Sequence, residues 1–238
     1  MGRVTLKIYN KGFNYSQDGP GNRLVYHLQG CNFRCRWCSN PESMEASGEC
    51  REYSVEELLK EAQSCVPMFF DGGGVTLTGG EPTMQFDEIK EFLSFLRKSG
   101  IHTAIENNGS HPRLRELFDV IDFLIMDVKH FDEEQHRFWT GVSNKNTVEN
   151  LKIICETGRQ ALIRIPLING VNNDAEGFVR LFNSFNCSGV YFEILPYHEF
   201  GRDKWTVPYE IENGFVESRD IKNFEKLFRE NGLRIIKT

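Results

Sequence analysis

Three cysteines lie close together in the string GCNFRCRWCSNPESM, which spaces Cys31, Cys35 and Cys38 as C-x3-C-x2-C. Thiolates are soft ligands, suited to zinc or to iron–sulfur clusters. Structural zinc usually takes four protein ligands, typically as two pairs. No second pair follows here, and Cys50 stands alone twelve residues on. Three thiolates on one loop would hold a cubane cluster and leave one iron open to an outside ligand. The competing accounts are a chance cluster of small apolar residues and a three-cysteine zinc site completed by one further ligand. Cys50, Cys65, Cys155 and Cys187 are scattered and ask for no explanation.

Other residues carry charge or flexibility where an ordinary core would not. In TGGEP, Gly79 and Gly80 let backbone approach a ligand closely, and the Glu81 carboxylate can accept hydrogen bonds from an ammonium group. A plain turn after a strand is the alternative. Asp127 and Lys129 are two apart on a strand that otherwise reads FLIM, so both point to one face. Two inward charges are costly without partners, and an internal ion pair at a strand end would also account for them. Arg164 is a charge at the end of the apolar run ALIRIP, which a structural salt bridge would explain. His198, taken alone, reads as a surface-loop histidine.

The elements that must position these residues alternate along the chain. Strand-like runs are LVYHLQ (24–29), VTLT (75–78), HTAIEN (102–107), FLIMDV (123–128), ALIRIP (161–166) and VYFEIL (190–195), each short and rich in β-branched or aromatic residues. Helical patterns lie between or after them: SVEELLKEAQS, FDEIKEFLSFLRKSG, TVENLKIICETG, EGFVRLFNSF and SRDIKNFEKLFRENG. Ser54 with Glu57 fits a capping box, and Gly100, Gly158 and Gly232 sit where helices should stop. Such alternation implies parallel strands joined by right-handed crossovers. About six units fit this length better than the eight of a full barrel, so the expected fold is an α/β partial (βα)6 TIM-like barrel in a single domain. RVTLKIYN is expected to add an edge strand and RIIKT a closing one. Chemistry in such folds gathers at the C-terminal ends of the strands, where most of the residues above fall.

The chain has 238 residues, 39% of them hydrophobic and 26% charged, which describes an ordinary soluble globular protein. A net charge of −6 gives no electrostatic pull towards nucleic acid or an anionic membrane. No apolar run approaches the roughly 18–20 residues of a membrane span, and MGRVTLKIYN has no secretory-signal character. Seven cysteines are too few for a disulfide scaffold, so reduced thiols in a cytoplasm are expected.

With TGGEP after the second core strand, the cysteine spacing resembles the radical S-adenosylmethionine superfamily. More narrowly, the chain resembles the activating enzymes of glycyl radical enzymes, of the pyruvate formate-lyase type. The resemblance runs through DGPG (18–21), QGCNFRCRWCSNP (29–41), GGGVTLTGGEPTMQ (72–85), GIHTAIENNG (100–109), MDVKHFD (126–132), GVSN (141–144), IRIPLINGVNND (163–174) and LPYHEFGRDKW (195–205). It implies a [4Fe–4S] cluster on Cys31, Cys35 and Cys38, with S-adenosylmethionine on the fourth iron. Trp37 matches the aromatic slot near adenine, and Ser39 and Asn40 the backbone contacts to the nucleoside. Gly79, Gly80 and Glu81 match the segment receiving the methionine amino group. Asp127 and Lys129 match a D-x-K in which lysine faces the cofactor carboxylate, Arg164 a cofactor-facing position, and Leu195 and His198 the ribose and adenine contact. The family places Asp-Thr where this chain has Glu106-Asn107, so Glu106 with Asp127 becomes the candidate pair for a monovalent cation.

The activity so implied is reductive cleavage of S-adenosylmethionine to a 5′-deoxyadenosyl radical, which takes a Cα hydrogen from a glycine of a partner glycyl radical enzyme. Asp18, Gly19 and Gly21, with the loop from Glu199 to Trp205, are the candidate peptide contacts. Flavodoxin or ferredoxin is the implied electron donor. A monomer is expected, with one radical SAM core domain over 1–238, a strand and DGPG segment within 1–22, the cluster loop at 30–41 and no ferredoxin-like insert. Two other readings remain: a small-molecule radical enzyme such as 7-carboxy-7-deazaguanine synthase, and a non-catalytic zinc or electron-transfer protein.

Overall fold

The structure, a computed structural model, describes residues 4–237. Arg3 of the first expected strand and Thr238 of the last lie outside the described residues. One nine-stranded sheet runs in the order β3-β1-β2-β4-β5-β6-β7-β8-β9. Six strands form its parallel centre: β2 (Asn22–Leu28), β4 (Gly74–Gly79), β5 (Thr103–Asn107), β6 (Phe123–Asp127), β7 (Ala161–Leu167) and β8 (Val190–Pro196). These are the six runs expected from sequence, each displaced by no more than two residues. The sheet is open, as a partial barrel requires.

The flanks depart from expectation. β1 (Thr5–Tyr15) pairs antiparallel with β2 and is not the edge, because β3 (Arg51–Ser54) pairs antiparallel on its far side. β3 escapes a pattern search because it is four residues long and mostly polar. β9 (Arg234–Ile235) adds in parallel to β8 and closes nothing: two residues extend the open edge.

Helices cover the sheet where the apolar period demands it. In α1 (Val55–Ser64) Ser54 accepts from the Glu57 N–H while Glu57 accepts from the Ser54 N–H, the expected capping box. α2 (Phe86–Lys98) buries Phe86, Ile89, Phe92, Leu93 and Leu96, a single stripe of its surface. α4 (Lys145–Thr157), α5 (Ala175–Asn183) and α6 (Ser218–Glu230) follow the remaining patterns. α3 (Glu133–Thr140) was not expected; only His136 and Thr140 are buried in it, too few for an apolar stripe. Between β5 and β6 the chain makes a single 3-10 turn, Leu114–Leu117. No helix among the described residues is long and apolar enough to cross a membrane.

Candidate active site

The loop after β2 carries the three thiols, and the protein fixes its course at several points. Arg34 N–H donates to Thr140 O at 2.7 Å and Arg36 N–H to Trp139 O at 3.2 Å, tying the loop to the end of α3. Asn32 donates to Ser110 Oγ at 2.7 Å and accepts from Asn108 at 2.9 Å, tying it to the turn after β5. From the other side Trp205 Nε1 donates to Cys38 O, and Lys204 Nζ to Ser39 O and the Asn40 side chain. Gly201 makes this clasp close: a Cβ there would lie 2.4 Å from Ser39 Cα.

Cys31, Cys35 and Cys38 line one cavity of about 250 Å³ at the C-terminal ends of the strands. Trp37, Ser39, Asn40, Gly79, Gly80, Glu81, Glu106, Asp127, Lys129, Leu195 and His198 line the same cavity, so residues far apart in sequence share one wall. Gly80 permits the close stacking of two loops, since a Cβ would meet Gly30 O at 2.3 Å.

Burial pushes the Cys31 thiol up to about 12 and raises Cys35 and Cys38 as well. Opposing this, Phe33 N–H donates to Cys31 Sγ and Asn40 N–H to Cys38 Sγ, each at 3.4 Å, and the Lys129 ammonium favours the thiolates. Burial works against the Lys129 charge too, but Asp127 and the thiols outweigh it and hold the amine well above its ordinary value. Lys129 Nζ lies 2.8 Å from Asp127 Oδ2, while Asp127 Oδ1 is buried with no partner among the described residues.

Three of the expected site groups are occupied differently from a simple ligand cradle. Both Glu81 oxygens are taken, one by the Thr83 N–H and hydroxyl, the other by the Asn108 N–H at 2.7 Å. Its carboxylate therefore anchors two loops. Arg164 does not line the cavity. It lies beneath the wall, with Nη1 2.7 Å from Glu106 Oε1 and Nε 2.8 Å from Glu193 Oε2. Burial disfavours its charge, but Glu106 and Glu193 outweigh that and keep it protonated. Burial also pushes the Glu106 carboxyl up to about 7 against the pull of Arg164. The second Glu106 oxygen accepts from Thr78 at 3.1 Å. Among the described residues no three His, Cys, Asp or Glu side chains converge on a single metal ion.

Asp18, Gly19 and Gly21 lie outside the cavity wall. The DGPG turn is pinned by Thr76, whose hydroxyl donates to Asp18 O, and by the fully buried Arg23, which donates to Pro20 O, Val75 O and Thr76 Oγ1. Gln17 O accepts from Arg164 Nη2, so this turn and the Arg164 pair are one unit. His198 reaches the cavity and stacks on Phe200, itself 83% exposed.

Sequence reasoning missed Glu193, Thr78, Arg23 and the Asn32–Asn108 bridge. Glu193 was findable, since a carboxylate inside VYFEIL obeys the same logic that singled out Arg164. The asparagines had no signal, because either side chain would suit an exposed loop.

A family model described as the Radical SAM superfamily matches residues 25–182. A pyruvate formate-lyase-activating enzyme of Staphylococcus epidermidis is 32% identical over 226 residues, 89% of each chain. The chain belongs to the radical SAM superfamily, in the family of pyruvate formate-lyase-activating enzymes. A domain of pyruvate-formate lyase-activating enzyme from Bacteroides vulgatus superposes with a TM-score of 0.58 at 26% identity, covering 69% of this chain and 98% of that one. A radical SAM methyltransferase from Sphaerobacter thermophilus shares the fold with a TM-score of 0.67 at 16% identity, covering 95% of this chain and 72% of its own. As a radical SAM enzyme the chain uses a [4Fe–4S] cluster and S-adenosylmethionine. The donor set suits both groups: three thiols, not four, face one cavity beside an ammonium, and backbone N–H groups already point at two of the sulfurs.

Proposed function

We propose that this radical SAM enzyme is an activase, taking the Cα hydrogen of a glycine on a partner glycyl radical enzyme of the pyruvate formate-lyase type. The observation that carries the reading is the convergence of Cys31, Cys35, Cys38 and Lys129 on one cavity in a chain 32% identical, over 89% of its length, to a pyruvate formate-lyase-activating enzyme.

When bound, the cluster and S-adenosylmethionine supply a one-electron cleavage of the sulfonium, giving methionine and a 5′-deoxyadenosyl radical. The protein's own residues bind, orient and exclude water. Cys31, Cys35 and Cys38 would hold the cluster, and Lys129, kept charged by Asp127, would meet the cofactor carboxylate. Of the residues lining the cavity, Trp37, Ser39, Asn40, Leu195 and His198 would take the nucleoside, and Gly79 and Gly80 the methionine. Arg164 and Glu81 serve the same cofactor by fixing the loops around it. Asp127 Oδ1 is the oxygen offered to a monovalent cation, Glu106 being committed to Arg164 and Thr78.

The glycine must come to the cavity on a mobile loop of the partner, and the unclosed sheet leaves lateral room for it. Asp18, Gly19 and Gly21 and the loop from Glu199 to Trp205 flank that approach. The hydrogen taken from the glycine would end in 5′-deoxyadenosine and leave the radical on the partner, with flavodoxin or ferredoxin as the source of the one electron required. A monomer of one radical SAM core, without a ferredoxin-like insert and in the cytoplasm, completes the reading.

The test is anaerobic reconstitution with reductant, S-adenosylmethionine and pyruvate formate-lyase, followed by electron paramagnetic resonance. A glycyl signal on the partner, with 5′-deoxyadenosine formed alongside it, is expected. 5′-Deoxyadenosine without any glycyl signal would move the chain to small-molecule radical chemistry. Neither product, from protein carrying a full cluster, would reject the reading.

A further inference from the structure

Two cysteines outside the cavity form a site of their own. Cys155, in the last turn of α4, and Cys187, in the turn before β8, place their sulfurs 2.6 Å apart across 32 residues of sequence. Both lie at the N-terminal ends of neighbouring strands: α4 leads into β7, and Cys187 O accepts from the first residue of β8, Val190 N–H. This is the end of the strands opposite the cavity, so these thiols belong to neither the cluster nor its wall.

We propose that Cys155 and Cys187 are a redox modification site, a dithiol that a peroxide-class oxidant converts to an intramolecular disulfide. The two differ in a way that gives the reaction an order. Cys155 is buried, whereas Cys187 is half-buried between the exposed Asn186 and Ser188 and is the sulfur an oxidant can reach. The hydrogen bond between them raises Cys155 and lowers Cys187, which makes Cys187 the thiolate of the pair. The Cys187 thiolate attacks one peroxide oxygen and becomes a sulfenic acid as the O–O bond breaks and water leaves. Cys155 sulfur then attacks Cys187 sulfur, the S–O bond breaks, and the second water carries away the last proton. Two thiols and one hydrogen peroxide thus give one disulfide and two waters.

The bond would staple the end of α4 to the lead-in of β8 and close a loop holding β7 and α5. Cross-linking a loop of this length restricts the unfolded chain, and the melting temperature should rise by roughly 5–10 °C.

The experiment uses cluster-loaded protein under anaerobiosis, titrated with hydrogen peroxide, alkylated, and digested with trypsin without reduction. The expected product joins peptide 153–159 to peptide 181–202 with the loss of two hydrogens. It should melt higher than untreated protein, and dithiothreitol should reverse both changes. Cys187→Ser should lose the linked peptide and the shift while cleaving S-adenosylmethionine at the wild-type rate. Full alkylation of both cysteines after oxidant, or linkage of either to a cluster cysteine, would overturn the proposal. Peptide mapping of the wild-type protein is decisive by itself, so the test does not depend on how well the variant folds.

Discussion

Replacing Arg164 with methionine tests whether this residue serves the cofactor directly or through the wall beneath it. Its guanidinium is about 5% exposed and sits between Glu106 and Glu193, at 2.7 and 2.8 Å, with a third bond to Gln17 O. Methionine keeps the apolar stem and deletes the charge, leaving the Glu106 and Glu193 carboxylates without the guanidinium that bridged them. Breaking a buried pair by removing one partner costs about 3–5 kcal/mol. For a chain of this size, that lowers the melting temperature by roughly 8–15 °C. The sign with pH follows from the carboxyls. Burial already lifts Glu106 to about 7, and losing the cation lifts it further above its unfolded value. A carboxyl raised on folding favours the folded state in acid and loses that advantage as pH rises through the folded value. The variant should therefore melt closest to wild type near pH 5.5 and furthest below it near pH 8.5. Adding Glu193→Gln should recover part of the loss, because one of the two carboxylates that faced the lost cation is gone. Anaerobic melts at three pH values, with 5′-deoxyadenosine formation measured well below the melting point, decide the matter. A variant that melts within a few degrees of wild type at pH 8.5, yet needs far more S-adenosylmethionine, would refute the reasoning and make Arg164 a direct cofactor contact.

Cys35→Ala should abolish S-adenosylmethionine cleavage, and cleavage at the wild-type rate after anaerobic reconstitution would reject the ligand assignment. Lys129→Met should keep a full complement of iron but raise the KM for S-adenosylmethionine roughly 10–100-fold, the loss of a hydrogen bond to a charged group, read by 5′-deoxyadenosine assays at varied cofactor. His136 is buried with Nδ1 on Val142 O, and burial lowers it to about 4. Its contribution to stability is complete above about 6.5 and is lost as pH falls towards 4, by up to about 3 kcal/mol; His136→Asn should flatten that limb of a urea-melt profile.

How far the sequence carried depended on whether a residue's environment was local. The six core strands were legible because a buried parallel strand must be a short apolar run, and Asp127 and Arg164 stood out as charges within such runs, with Lys129 just past the end of one. The Ser54–Glu57 box was legible because it closes over three residues. β3 and α3 were not, since each owes its existence to a partner: β3 to the exposed side of β1, α3 to the cluster loop its end supports. Glu81 shows the same limit within the site. Its residue type and position suggested an ammonium acceptor, but not that Thr83 and Asn108 would also bond its oxygens, Asn108 from 27 residues away. Residue type announces what a side chain can do; only the fold determines which neighbour reaches it first.

The cluster loop illustrates why the other loops had to be built as they are. Around the thiols it has no strand and no α-helix, so its order must come from elsewhere. Fixing a residue's backbone costs about 1–2 kcal/mol, and the loop offsets this with bonds to three separate segments. The turn after β5 holds Asn32, the end of α3 holds Arg34 and Arg36, and the clasp after β8 holds Cys38, Ser39 and Asn40. Each segment leaves the sheet from the C-terminal end of a different strand. The strand order therefore sets the spacing of the thiols as much as the C-x3-C-x2-C string does. The same string on a chain lacking Asn108, the Thr140 carbonyl or Trp205 would carry the same ligands without the support that aims them at one cavity.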